Sequence, residues 1–169
     1  MITENKQKRR EAHLLLDNIR SVHNVGSIFR TAETLGISKI YCIGTTPTPH
    51  DRFGNKRSDF AKVALGAENT ISWEHAEEGG SILNKLKKAG AKIVALEQSP
   101  RSLDYKQISL ASSSKNKVVI ILGNEVEGVS KPILELADVI AEIPLRGQKE
   151  SLNVSVSAGI FLYRLLDTD

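Results

Sequence analysis

Three short segments of this 169-residue chain combine glycines with charged or hydrogen-bonding side chains. They read RSVHNVGSIFR at 20–30, GNEVEGVS at 123–130 and IPLRGQKESLNVSVSAG at 143–159. Each follows an apolar run that is typical of a buried strand. Because ligands bind at the carboxyl ends of the strands in an open parallel sheet, these segments form the candidate site.

The first segment offers a cation for an anionic group. It opens a helix predicted over 24–35, with Asn24 as the N-cap and Gly26 permitting a close backbone approach. Arg30 lies off the apolar stripe and near the helix start, where its charge does not stabilise the helix dipole. A guanidinium there suits an anion such as an RNA phosphate, and an ordinary surface arginine is the alternative. The four histidines of the chain are scattered, which argues against a metal site.

The second segment resembles a phosphate-binding loop only in outline. Gly123 and Gly128 have the required spacing, but Val129 occupies the place of the lysine, and Glu125 and Glu127 would repel phosphates. The chain also has no G-x-G-x-x-G fingerprint for a dinucleotide. A glycine loop with carboxylates suits a ligand that bears hydroxyls and positive charge. S-adenosylmethionine, with its ribose, ammonium and sulfonium, is such a ligand.

The third segment opens a helix of poor intrinsic propensity. Its weak helix formers are Val154, Ser155, Val156, Ser157 and Gly159. We therefore expect close packing against another backbone to hold this helix. Ile143 and Leu145 offer apolar contacts and backbone groups for an adenine. Ser151 and Asn153 offer hydrogen-bonding groups near a reacting centre.

Strand and helix signals alternate along the chain and would position these segments. Apolar runs predict strands at 13–18, 39–43, 70–73, 91–96, 117–122 and 138–143. Helices are predicted at 24–35, 79–89, 129–137 and 151–166, with a short helical or irregular piece at 59–66. Loop or irregular structure is predicted at 44–56 and 99–116. This alternation predicts an α/β protein with a parallel sheet covered on both faces.

Composition is that of one globular domain over 1–169, with a basic N-terminal segment at 1–12. Hydrophobic residues make up 40% and charged residues 25% of the chain. The single cysteine, Cys42, excludes an intramolecular disulfide and a cysteine-based metal site, and predicts a buried thiol in a reducing cytoplasm. We see no apolar run long enough for a membrane span and no signal-peptide core.

The net charge of +3 is too small to establish nucleic-acid binding. The basic residues nevertheless cluster at Lys6, Lys8, Arg9 and Arg10, and again at Arg52, Lys56, Arg57 and Lys62. Such clusters can form a footprint for RNA phosphates, and a solvated charged face is the alternative.

Together the three segments resemble the three motifs of the SpoU (TrmH-like) RNA 2′-O-ribose methyltransferases, within the SPOUT superfamily. The first motif is matched by Asn24, Gly26 and Arg30. The second is matched by Gly123, Asn124, Glu125 and Gly128, and the third by Ser151, Leu152, Asn153, Ser155 and Ser157. Order and spacing agree, and the likeness extends from about 14 to 166.

The resemblance implies a parallel-sheet α/β knot, with the C-terminal part threaded into a deep trefoil. It implies a homodimer packed through the knot helices and methylation of a ribose 2′-hydroxyl in RNA, with tRNA ahead of rRNA. The S-adenosylmethionine site would comprise Leu96, Gly123, Asn124, Gly128, Ile143, Leu145, Ser151, Leu152 and Asn153. The catalytic set would be Arg30, Asn24, Glu125, Ser151 and Asn153, with no metal. RNA contacts would come from Arg9, Arg10, Arg52, Lys56, Arg57 and Lys62.

The role of Arg30 follows from its chemistry. A guanidinium is not deprotonated in proteins, so we expect Arg30 to bind a phosphate and stabilise a developing alkoxide instead of acting as the base. Two other functions stay open: a non-catalytic knotted RNA-binding module, and a base-directed RNA methyltransferase or another α/β nucleotide-binding enzyme. The first is opposed by four intact residues, Arg30, Glu125, Ser151 and Asn153. The asparagine-to-arginine first motif argues, by resemblance, against the second.

Overall fold

The chain folds around a seven-stranded parallel β-sheet. The structure, a computed structural model, describes residues 10–110 and 116–166. The strands are β1 (Glu11–Asp17), β2 (Lys39–Ile43), β3 (Ser72–Ala76), β4 (Lys92–Leu96), β5 (Leu103–Asp104), β6 (Lys117–Gly123) and β7 (Val139–Glu142). Their order is β3-β2-β1-β6-β4-β7-β5, and every neighbouring pair is parallel. The predicted parallel α/β sheet is confirmed.

Helices cover both faces of the sheet. They are α1 (Val22–Thr34), α2 (Ser58–Ala64), α3 (Ala67–Thr70), α4 (Gly80–Lys88), α5 (Lys131–Leu134) and α6 (Val154–Leu166). On one face α1, α2 and α6 bury Phe29, Phe60 and Phe161. On the other, α4 and α5 bury Leu83 and Ile133. Because helices cover both faces of the sheet, the side chains on both faces of the central strands are buried. These strands are therefore apolar at successive positions instead of alternating with polar residues.

Some predicted boundaries are wrong. The helix predicted at 129–137 is only the single turn of α5. Within its described part, the predicted irregular stretch at 99–116 contains β5 and a 3₁₀ turn at Tyr105–Gln107, and 111–115 lie outside the described residues. The strand predicted at 70–73 is β3, which begins at Ser72. Its register is fixed by pairing with β2, and Thr70 still belongs to α3. The first strand begins at Glu11, inside the predicted basic segment 1–12.

The closing helix α6 begins at Val154, three residues later than predicted. It packs through Ala158, Phe161, Leu162 and Leu165, which are buried. A Cβ added at Gly159 would meet no other atom within 4 Å, so this glycine is not required for packing among the described residues. No helix in the two described ranges is long and apolar enough to cross a membrane.

Candidate active site

A cavity of about 360 Å³ lies at the carboxyl edge of the sheet. Its walls come from the segments after β4, β6 and β7 and from the first turns of α6. Parallel strands end at the same edge, so loops that are distant in sequence meet there. The predicted cofactor residues that line this cavity are Leu96, Gly123, Asn124, Gly128, Ile143, Leu145, Ser151 and Leu152. Asn153 does not line it and instead caps α6 beside it.

Other lining residues were not predicted from the sequence: Glu97, Gln98, Leu122, Val126, Glu150, Val154 and Ser157. Glu97 and Gln98 directly follow β4, so the rule that points to the carboxyl ends of strands identifies them as well. No lysine or arginine occurs among the described lining residues, whereas Glu97, Glu125 and Glu150 bring carboxylates. This charge balance favours a ligand with positive charge over a phosphate.

The turn after β6 requires glycine at two positions. A Cβ at Gly123 would lie 2.2 Å from the backbone nitrogen of Val129, which leaves no room for a side chain. Gly128 adopts a φ of +72°, which side chains rarely tolerate. Asn124 and Gly128 exchange backbone hydrogen bonds of 2.9 and 3.0 Å. The turn therefore folds back on itself and forms one wall of the cavity.

The side chain of Asn124 holds this turn in place. Its Oδ1 accepts hydrogen bonds from the N–H groups of Val126 and Glu127 at 2.8 and 3.0 Å. Its Nδ2 donates to the carbonyl oxygen of Asn18 at 2.7 Å. Asn124 is buried and bonded through both ends of its amide, so it shapes the cavity wall through the backbone that it fixes.

Glu97 joins the loop after β4 to the turn after β6. Its Oε2 accepts a hydrogen bond from the N–H of Val129 at 2.7 Å, and its Oε1 accepts from the N–H of Gln98 at 2.8 Å. The Nε2 of Gln98 donates to the carbonyl oxygen of Glu150 at 2.9 Å, which ties in the segment before α6. A Cβ at Gly128 would lie 2.2 Å from Oε2 of Glu97, so the carboxylate fits because Gly128 has no side chain.

A second set of hydrogen bonds joins all three motif segments. Oε1 of Glu125 accepts from Nδ2 of Asn24 at 2.9 Å and from the N–H of Ser21 at 3.1 Å. Its Oε2 accepts from the N–H of Arg20 at 3.0 Å. Oδ1 of Asn24 in turn accepts from Nδ2 of Asn153 at 3.1 Å. Three of the predicted catalytic residues are thus in direct contact.

The carboxylate of Glu125 lies at the N-terminus of α1. Burial acts to raise its pKa, but the hydrogen bonds from the N–H of Arg20, the amide of Asn24 and the N–H of Ser21 outweigh it and lower the pKa below its ordinary value. A negative charge there also complements the positive end of the helix dipole.

The prediction that Asn24 caps α1 is wrong. Ser21 is the N-cap, and its Oγ accepts from the N–H of Asn24 at 3.2 Å. The helix begins two residues earlier than predicted, which places Asn24 in the first turn with its amide free to reach Glu125.

Asn153 immediately precedes α6 and caps its first turn. Its Oδ1 accepts from the N–H and the hydroxyl of Ser155, at 2.9 and 2.6 Å. The hydroxyl of Ser157 donates to the Asn153 carbonyl at 3.0 Å. These bonds offset the weak propensity of the first turn. Ser151 is an exposed residue of the cavity lining, and its hydroxyl makes no hydrogen bond within the described residues.

Arg30 lies in a second, shallow cavity of about 570 Å³. Its lining consists of His23, Ser27, Arg30, Thr31, Thr34, Lys62, Val63, Leu65 and Tyr163. Because α1 begins at Val22, Arg30 is the ninth residue of this helix and not near its start as predicted. The structure does not bring Arg30 into the first cavity. Helix α6 borders both, through Val154 and Ser157 at the first and Tyr163 at the second.

The predicted RNA-binding residues fall in different places. Arg52, Lys56 and Arg57 follow β2 at the carboxyl edge, and Lys62 on α2 lines the Arg30 cavity. Arg57 pairs with Asp59 at 2.8 Å. Arg10 precedes β1 and so lies at the opposite, amino edge of the sheet, away from the cavity. Arg9 is outside the described residues. Among residues 10–110 and 116–166, no group of three His, Cys, Asp or Glu side chains could hold a metal ion.

The model of the SpoU rRNA Methylase family matches residues 11–163. The chain belongs to this family. An archaeal relative of this SpoU domain, an "Uncharacterized tRNA/rRNA methyltransferase" of Archaeoglobus fulgidus, is 33% identical over 90% of the chain and 62% of its own length. The tRNA (guanosine(18)-2′-O)-methyltransferase of Aquifex aeolicus is 28% identical, over 94% of the chain and 70% of its own length. The 23S rRNA (guanosine-2′-O-)-methyltransferase RlmB of Neisseria meningitidis is 32% identical, over 88% of the chain and 55% of its own length.

Solved structures of SpoU proteins share the fold. The AdoMet-bound rRNA methyltransferase from Sinorhizobium meliloti superposes with a TM-score of 0.80 at 29% identity, over 91% of this chain and 55% of that one. The Aquifex aeolicus TrmH/SpoU tRNA modifying enzyme superposes with a TM-score of 0.78 at 28% identity, over 92% of this chain and 74% of that one. The SpoU chain therefore spans between 55% and 74% of the length of these relatives and structures.

Proposed function

We propose that this SpoU domain transfers a methyl group from S-adenosylmethionine to a ribose 2′-hydroxyl of RNA, with tRNA as the first substrate class and rRNA as the second. The observation that carries the proposal is the hydrogen-bonded set Glu125–Asn24–Asn153, which joins the three motif segments beside a cavity at the carboxyl edge. Named relatives that act on tRNA and on 23S rRNA support both substrate classes.

The first cavity suits S-adenosylmethionine. Ile143, Leu145 and Leu152 give an apolar surface for an adenine, and its volume of about 360 Å³ falls in the range of small-molecule sites. The carboxylates of Glu97 and Glu150 suit the positive groups of the ligand. When bound, the cofactor supplies a methyl group on a positively charged sulfur. The AdoMet-bound relative from Sinorhizobium meliloti supports the assignment.

The residues of the chain would then act by positioning and by charge. Arg30 is exposed and makes no ion pair among the described residues. It lies in the second cavity, which α6 also borders, so the RNA must span both cavities. Arg30 would then bind the phosphate next to the target ribose and stabilise the negative charge that develops on the 2′-oxygen. The hydroxyl of Ser151 accepts a hydrogen bond from the 2′-hydroxyl and orients it. As the 2′-oxygen takes the methyl group, its proton passes to solvent water, and the cavity releases the demethylated cofactor. Asn24, Glu125 and Asn153 hold the two helix starts in the arrangement that this requires.

The homodimer belongs to the same proposal. Val156, Ile160 and Tyr163 form an apolar stripe on α6 that is 39–50% exposed. Their spacing puts them on one helix face, which a second copy would cover. Since α6 borders both cavities, a partner on this stripe would lie next to the cofactor site and the Arg30 site.

Light scattering after size-exclusion chromatography tests the dimer. We expect Ile160→Glu to give monomers and the matched change Leu103→Glu, on edge strand β5, to leave the dimer intact. A wild-type monomer, or an Ile160→Glu dimer as tight as the wild type, contradicts the proposal. The trefoil knot and the cytoplasmic location also stay proposals: the first rests on family likeness and the second on the single buried thiol of Cys42.

The activity is tested with methyl-labelled S-adenosylmethionine and unmodified tRNA and rRNA, followed by nucleoside analysis. Label on a ribose supports the proposal, and label on a base favours the base-directed alternative. Cofactor binding without transfer to any RNA favours the non-catalytic module. Arg30→Ala should lower kcat by about 10²–10³, the cost of removing one such donor. The matched control, Arg101→Ala near the opposite edge of the sheet, should leave kcat unchanged.

Arg30→Lys separates charge from geometry. Lysine keeps the positive charge but lacks the forked donor arrangement that binds a phosphate through two hydrogen bonds. We expect turnover between that of the wild type and that of Arg30→Ala. Turnover near the wild-type value would show that the forked geometry is dispensable.

A further inference from the structure

An aromatic ring is exposed on the segment between β2 and α2. Phe53 is 74% exposed and lies in a tight turn formed by residues 50–56, called here the Phe53 turn. A single exposed apolar residue is ordinary on a protein surface and carries no inference alone. Two further observations distinguish this one: the turn is held by several hydrogen bonds, and a guanidinium lies beside the ring.

The Phe53 turn is fixed by the side chain of Asp51. Its Oδ1 accepts from the N–H of Phe53 at 2.8 Å and from the N–H of Asn55 at 2.9 Å. The hydrogen bonds from Asn55, and then the one from Phe53, lower the pKa of Asp51, so this carboxylate is charged at neutral pH. An antiparallel bridge between His50 and Lys56 closes the turn. The backbone that carries the ring is therefore fixed, which reduces the entropy lost on binding.

The base of the turn is anchored to the sheet. The His50 ring stacks on Trp73 of β3, with centroids 5.7 Å apart and an interplanar angle of 28°. The N–H of Arg57 donates to the Pro49 carbonyl at 2.9 Å, and α2 begins at the next residue. The turn thus leads directly into the helix whose Lys62 lines the Arg30 cavity.

Positive charge accompanies the ring. The guanidinium of Arg52 lies 4.8 Å from the centroid of the Phe53 ring. Arg52, Lys56 and Lys62 are exposed and make no ion pair within residues 10–110 and 116–166. Along 51–62, these three cations outnumber Asp51, the one described carboxylate of that segment without an ion pair, since Arg57 and Asp59 pair with each other.

We propose that the Phe53 turn is a stacking platform for an unpaired base of the substrate RNA, with Arg52 and Lys56 holding the flanking phosphates. Nucleobases that are splayed out of a helix stack on aromatic rings and on guanidinium planes, whereas bases inside a duplex cannot. The platform therefore selects RNA with a single-stranded region near the target ribose. This inference rests on the proposed function for its choice of RNA as the partner.

Binding of two RNA probes tests the platform. One is a fluorescently labelled, unstructured single-stranded RNA of about 12 nucleotides, a length that OB-fold single-strand-binding proteins accommodate, and the other is the same RNA annealed to its complement. We expect Phe53→Ala to weaken single-strand binding about five- to 150-fold, the range that stacking of one base spans. Phe53→Trp should restore binding, because tryptophan keeps an aromatic face. The matched control Leu103→Ala, on the opposite edge of the sheet, should bind as the wild type does.

Salt dependence separates stacking from charge. Arg52→Ala should reduce the slope of log affinity against log salt by about 0.7, one phosphate contact on a single strand, whereas Phe53→Ala should leave that slope unchanged. Three results would overturn the platform. The first is equal single-strand affinity of Phe53→Ala and the wild type, and the second is a wild type that does not bind the single strand. The third is that Phe53→Ala loses as much affinity for the duplex as for the single strand.

The test distinguishes failure of the platform from failure of the proposed function. Normal methyl transfer together with unchanged RNA affinity in Phe53→Ala overturns only the platform. Loss of RNA affinity in Phe53→Ala, with no methyl transfer by the wild type, supports the platform and overturns the proposed activity.

Discussion

Replacing Glu125 with alanine should destabilise the fold measurably, because its carboxylate accepts three hydrogen bonds at 2.9–3.1 Å from the start of α1. A hydrogen bond to a charged group contributes about 1.5–3 kcal/mol, but Glu125 is exposed, so about 1 kcal/mol for each is appropriate. Glu125→Ala should then lower the free energy of unfolding by about 2–3 kcal/mol. For a domain of this size that corresponds to a fall of about 4–12 °C in Tm.

Urea unfolding with a double-mutant cycle identifies the source of the loss. Asn24 is buried and donates to Glu125, so Glu125→Ala and Asn24→Ala should couple by about 1 kcal/mol. Glu127→Ala is the matched control: the exposed carboxylate of this neighbour makes a 3.4 Å ion pair with Arg20, and its replacement should cost less than about 0.5 kcal/mol. Additive effects of the first two changes, or equal costs for Glu125→Ala and Glu127→Ala, would refute the reasoning.

The pH dependence of this stability has a definite sign. The hydrogen bonds lower the pKa of Glu125 in the folded state below the ordinary 4.5 of a glutamate, so the unfolded chain binds the proton more tightly. The wild type should exceed Glu125→Gln in unfolding free energy above pH 4.5, and this advantage should be lost as the pH falls through the folded-state pKa. A difference that does not change over this window, measured by urea unfolding, would contradict the assignment.

Further predictions concern the cavity wall and the core. Gly128→Ala should destabilise the protein by about 1–3 kcal/mol more than Gly66→Ala in urea unfolding, because both have positive φ but only at Gly128 would a Cβ collide with Glu97. Equal costs would contradict this contact. Glu97→Ala should raise the Kd for S-adenosylmethionine about tenfold in calorimetry. The reason is that the N–H of Val129 loses its acceptor, so the turn after β6 that forms one wall of the cavity is no longer held in place. An unchanged Kd would exclude that positioning role. Burial raises the pKa of Cys42 to about 12, so its thiol should resist alkylation at pH 8 until urea unfolds the chain. Rapid labelling of the native protein would contradict this.

Much of the fold was predictable from local patterns. The spacing of Val25, Ile28 and Phe29 predicts the buried stripe of α1, and these residues are buried. The unbroken apolar run of β6 predicts a strand covered on both faces, as observed. These signals are local because helical and strand periodicities are set by the backbone geometry of a few residues. The displaced β3 and the short α5 show where pairing and packing override them.

Local sequence is enough to predict a glycine turn at Gly123 and a polar helix start at Asn153, because both follow directly from the residue types that come after a strand. The partners of these residues, in contrast, depend on how distant segments pack together. The carboxylate of Glu125 binds groups more than 100 positions earlier in the chain, and Arg30 lies in a cavity apart from it. These contacts depend on the strand order β1-β6-β4-β7, which aligns the carboxyl ends of distant strands. Strand order results from the packing of the whole sheet, and no local periodicity encodes it.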